Sequence, residues 1–154
     1  MAAVVLKQIE QATPVSLLTT ELNSLANNTM CAAGGVFTNT VGTSNTDGYV
    51  RGKVELVLAA YTGTPTAGSA FLAWFLKNID TTNYEDGSAT VTPARNPDVV
   101  IPIGAIASGP QRIIKECWVP VGVSKPIGKN SGTGISLAAA GNTLKILLNT
   151  DEGV

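Results

Sequence analysis

Glycine and proline interrupt this chain along its whole length, 16 and 8 times in 154 residues. They are the strongest local breaks in regular structure, and short runs between such breaks read as strands joined by turns. Only one segment escapes the pattern. Pro14 fits the first position of a helix after Thr13. Val15, Leu18, Leu22 and Leu25 then recur at spacings of three and four, as on one face of a helix. A helix of about three turns is marginal in water by itself, so this stripe needs a surface to dock on. The sequence therefore predicts a short N-terminal helix or arm over residues 1–28, docked outside a β-sandwich domain at 29–154.

From residue 29 the expected elements are all β. Met30 to Phe37 is a small-residue strand broken at Gly34-Gly35, and Thr38 to Gly48, dense in turn formers, is a long loop. Tyr49 to Tyr61 is the clearest strand, with Val50, Gly52, Val54, Leu56 and Leu58 on one face and Arg51, Lys53 and Glu55 on the other. Ala70 to Asn78 is apolar on both faces, which marks a central or covered strand. A long excursion follows, with a hairpin signal at Asp86-Gly87. Val99 to Ile106 is a strand that Pro102 assigns to an edge or a bulge. Gln111 to Pro120 alternates, opposing Ile113, Lys115, Cys117 and Val119 to Ile114, Glu116 and Trp118. Pro120 to Gly134 reads as a connection, and Ile135 to Ala140 and Thr143 to Thr150 as a final pair turning at Gly141-Asn142. Seven or eight short strands with no helices between them define an all-β fold, a jelly-roll or related Greek-key β-sandwich.

Charge narrows the function. Charged residues make up 14% of the chain, and the net charge is −1 with no block of one sign. That is well below the usual quarter. The surface must be wetted by Thr, Ser, Asn and Gly, which suits a protein packed against neighbours and equally a plain Thr-rich β-protein. No basic footprint for nucleic acid or anionic membrane is present. No apolar run approaches a membrane span, and the first residues lack the pattern of a signal peptide. The expectation is a protein used without export.

The chain has no histidine, which removes the commonest general base and metal ligand. Cys31 and Cys117 have no metal-binding spacing and read as two buried free thiols, with a disulfide as the alternative in an oxidising medium. Asp80, Glu85 and Asp86 form the densest acidic cluster. A calcium site or a pair of catalytic carboxylates is the functional reading, but the spacing matches no EF-hand loop, and turn chemistry with Tyr84 as an anchor explains it better. Lys125, Lys129 and the glycines around them lack the Gly-Lys-Ser/Thr pattern of a phosphate cradle. Trp74 and Trp118 have the chemistry to stack on sugars. Trp74 falls mid-strand and reads as core, and Trp118 as core or subunit interface.

The segments TTELNSLAN, VELVLAAYTGTPTAGSAFLAWFL, IDTTNYEDG, QRIIKECWVPVG and GISLAAAGNTLKILLNTDE, in that order, resemble small virion proteins of tailed bacteriophages. The likeness is to capsid decoration, or cement, proteins and runs over roughly residues 17 to 152. The stretch Ala32 to Asp47 is longer and richer in glycine than the family pattern. The resemblance implies a protein with no active site and no cofactor, made in the host cytoplasm. Such a protein sits on the capsid exterior, often as a homotrimer, and ties major capsid protein subunits together. Under that reading the contacts are expected on the N-terminal stripe (Val15, Leu18, Leu22, Leu25) and on three loops. These are Thr38 to Gly48 with Thr38, Asn39 and Asn45, Tyr84 to Gly87 with Tyr84, Glu85 and Asp86, and Lys125 to Asn130 with Lys125 and Lys129. The alternative within the same class of particle is a tail or head-fibre module that recognises a host glycan.

Overall fold

The period-two pattern of RGKVELVL produces the strand it implies. The structure, a computed structural model, describes residues 6–39, 51–78, 80 and 82–153. In it Arg51–Leu58 buries Gly52, Val54, Leu56 and Leu58 and turns the alternate residues outward. Nine strands are described: β1 (Leu6–Glu10), β2 (Val15–Leu18), β3 (Phe37–Asn39), β4 (Arg51–Leu58), β5 (Ala70–Lys77), β6 (Val99–Pro102), β7 (Gln111–Trp118), β8 (Gly122–Ser131) and β9 (Thr143–Gly153). One sheet runs β1-β9-β4-β7, with β2 also on β9, and the other runs β3-β8-β5-β6. All pairings are antiparallel.

β1 and β2 pair with successive stretches of β9, residues 149–153 and 144–146, so they form one broken lane. Each sheet then takes lanes from both halves of the chain, which is the wrapped topology of a jelly roll. A single core fills the space between the sheets. Val54, Leu56, Leu58, Leu144, Ile146 and Leu148 come from the first sheet, and Phe71, Phe75, Val99 and Ile101 from the second.

The N-terminal helix is not formed. Val15–Leu18 is a strand with a bulge between Ser16 and Leu18, and Thr20–Leu22 is a single 3-10 turn. Ser24 and Asn28 then take left-handed backbone conformations. Leu18, Leu22 and Leu25 are buried, and Val15 is half-buried against them, all in the protein's own core. The leucine spacing arose from a strand, a turn and a loop that all face one interior.

Two further expectations are corrected. Pro120 to Gly134 is not a connection but carries β8, the long strand between β3 and β5. Pro126 is tolerated there because no regular strand runs along that side of it. An irregular segment does so instead: Gly34 N donates to Pro126 O at 2.8 Å, Cys31 N to Gly128 O at 2.8 Å, and Asn28 N to Asn130 O at 2.6 Å. Nor is Ile135 to Ala140 a strand. Gly132, Gly134 and Gly141 all have positive φ, and Leu137 leaves this loop to enter the core, with its N–H on Leu25 O at 3.0 Å.

Candidate interaction surface

β5 is buried on both faces because two different layers cover it. One is the first sheet. The other is the excursion after Lys77, whose Gly87 lies close against Leu76 and whose Arg95 carbonyl accepts from the Trp74 indole at 3.0 Å. β6 pairs β5 only at residues 70–73. Beyond that, side chains take the place of a strand. Asp98 accepts from Phe75 N at 2.7 Å, Arg95 donates to Phe75 O at 2.7 Å, and Glu85 accepts from Lys77 N at 2.9 Å. Arg95 also bridges Asp98 at 2.7 Å and Glu85 at 3.1 Å.

These bonds assign the acidic cluster. Burial works to raise the Glu85 pKa, but the Lys77 N–H and the Arg95 guanidinium outweigh it and hold the carboxyl below its ordinary value. Asp80 is lowered by bonds from Asn83 and from Thr82 N, the geometry of a turn. Asp86 is exposed and lies apart from both roles. The hairpin signal at Asp86-Gly87 gives only isolated bridges, Asn78 with Tyr84 and Ser88 with Val91. Among the described residues no group of three or more His, Cys, Asp or Glu is placed to hold a metal.

The structure brings together some of the residues expected to touch a partner. Lys125 lies on β8 rather than a loop, with its ammonium 4.5 Å from the centre of the Tyr84 ring. Lys129 is on the same strand, opposite Leu72. Thr38 and Asn39 belong to β3 rather than to a loop, and only Thr38 is exposed. Asn39 is fully buried and its amide donates to Pro120 O at 2.9 Å. Asn45 lies outside the described residues. Leu18, Leu22 and Leu25 are core and do not form a surface stripe.

The most exposed apolar side chains lie elsewhere, on the outer face of the first sheet. Trp118 is 67% exposed and Ile114 62%, both on β7, so Trp118 is a surface residue and Trp74, 2% exposed, is core. The Arg51 guanidinium lies over the Trp118 ring at 5.2 Å. Around Ile114, a shallow cleft of about 150 Å³ is lined by Pro14, Leu147, Lys53, Glu55 and Lys145. A second cleft of about 290 Å³ is lined by Arg51, Glu116, Trp118, Asn149 and Cys117. Burial pushes the Cys117 thiol up to about 12, which leaves it protonated and a poor nucleophile at neutral pH. Cys31 is buried, accepts the Gly128 N–H at 3.1 Å, and is pushed by burial to about 11. Both cysteines are free.

Sequence reasoning placed Ile114 and Trp118 on one strand face but not at an edge. The signal for exposure was the alternation with Arg112 and Glu116. No family model, curated protein or solved structure matches the chain.

Proposed function

We propose that the protein is a capsid decoration protein of a tailed bacteriophage. It binds the outside of the assembled shell, bridges major capsid protein subunits and stabilises the particle without a catalytic step. The observation that carries this reading is the ordered set of segments, from TTELNSLAN to GNTLKILLNTDE, that resembles such proteins. A jelly-roll sandwich supports it, since that fold presents loops and sheet faces on a rigid body and hosts many binding roles. The low overall charge and the exposed Ile114 and Trp118 are what a docking protein needs. The copies gather in threes on the shell.

A ligand that binds the assembled shell and not its free subunits stabilises the shell by RT ln(1 + [L]/Kd), about 2.7 kcal/mol per site at 100-fold saturation. The test is to strip the protein from particles and compare DNA-release temperature with and without it added back. A higher temperature at full occupancy supports the reading, and identical temperatures reject it. One observation favours a second reading: Trp118 is open and backed by Arg51, an arrangement suited to stacking on a sugar ring. Copy number separates the two, because a decoration protein is present in hundreds of copies and a glycan-binding fibre in few.

A further inference from the structure

Among the described residues the sheet edges of this molecule are protected, with one exception. β3 is three residues long. The β1–β2 lane is broken between Glu10 and Val15. β6 is four residues ending in a proline, and the rest of the β5 edge is capped by Asp98, Arg95 and Glu85. β7 is eight residues long and, among the described strands, pairs only with β4. Among the described residues no further backbone hydrogen bond reaches Arg112–Trp118. Arg112, Ile114, Lys115, Glu116 and Trp118 are all exposed. A long open edge with apolar side chains is a template for another strand.

We propose that the occupant is β7 of a second copy of this chain, paired antiparallel across a two-fold axis at Ile114. A two-fold axis normal to the sheet pairs residue i with residue j at a constant sum, and keeps outward side chains with outward ones. Centring the axis on Lys115 or on Glu116 sets two like charges face to face, which is destabilising. Centring it on Ile114 sets Ile114 against Ile114 and places Arg112 opposite Glu116 twice. Within each copy Glu116 already lies opposite Lys53, and Glu55 already bonds Arg112 at 2.8 Å. The pairing therefore extends an existing ladder of alternating charge, from Lys53 to Glu116 to Arg112 of the second copy. It joins two four-lane sheets into one continuous sheet. A two-fold contact of this kind can link copies that belong to different trimers. It is derived from the chain alone, so its failure leaves the shell-binding reading untouched.

Mass measurement on the full chain over a range of concentrations is the first test. Twice the monomer mass of 15.8 kDa, or a higher even multiple, is expected. A monomer at every concentration, or only odd-numbered assemblies, overturns the proposal. Arg112→Glu should abolish the pair, because it sets a second carboxylate against Glu116, and Arg112→Lys should keep it. Pairing that survives Arg112→Glu, or is lost in a folded Arg112→Lys, rejects this register. The direct readout is a cross-link. In a Cys117→Ser background, Ile114→Cys should form a disulfide-linked dimer under copper phenanthroline, because Cβ atoms of directly opposed residues are about 4.5–5.5 Å apart. Val100→Cys, exposed on β6, should not. No cross-link at position 114, or equal cross-linking at both positions, counts against the pairing.

Discussion

At Gly128 the chain has room for a hydrogen and little else. A Cβ there would overlap the ring of Phe71, which is completely buried. Gly128→Ala should therefore destabilise the protein by about 1–3 kcal/mol or more, the usual cost of overpacking. Thermal unfolding measures the loss, and Phe71→Leu in the same background should recover part of it. Simple addition of the two losses would mean that the ring is not what the methyl meets. Glu85 makes a different prediction. Its folded-state pKa is depressed, so its contribution is present above the unfolded value of about 4.3 and fades as pH falls through the lower folded value. Glu85→Gln should melt below the wild type at neutral pH, and the gap should close in acid. A gap independent of pH would show that the carboxylate charge plays no part in holding Lys77 and Arg95.

Among the elements, the β1–β2 lane changes the expectation for the N-terminal segment most. Leu17, Leu18, Leu22 and Leu25 are core residues, and truncating one buried leucine costs about 2–5 kcal/mol. A domain's whole stability is about 5–15 kcal/mol. Deleting residues 1–28 should therefore give a chain that does not fold, as circular dichroism would show. A folded truncated domain would make the segment a detachable arm after all. The strands that could be read from sequence were those whose own pattern decides them. β4 and β7 alternate, and β5 is apolar from Ala70 to Leu76. β8 could not be read, because Pro126 and Gly128 are strand breakers in isolation. They are acceptable here only because residues 28–34, remote in sequence, lie beside them. The leucines misled for a related reason: three-and-four spacing records which residues face the core, not the backbone that carries them there.

Across the described residues, one set of loops is tied together by backbone hydrogen bonds. Those near residues 24, 63, 66, 108, 133 and 138 are stitched together at one end: Ser24 N meets Ala138 O at 2.9 Å, Thr66 N meets Thr133 O at 2.9 Å, and Ser108 N meets Gly63 O at 2.8 Å. The residues we propose for contact, Ile114 and Trp118, lie on the β7 edge and take no part in those bonds. The sequence showed which β7 residues face outward, but not that β7 is an edge, since that depends on partners brought together only by the fold. Pairing also imposes an order on synthesis. β9 is the last of the described strands and lies inside its sheet, between the β1–β2 lane and β4. Leu6 meets Gly153 across nearly the full span of the chain. On a ribosome, β1 and β2 would emerge first and wait without a partner until β9 followed. The first sheet can close only after release of that strand from the exit tunnel. Folds built from such distant pairings form slowly, in milliseconds to seconds. Until then β1 and β2 lack the strand they pair with, and this interval is when the nascent chain is most exposed to aggregation and to chaperones.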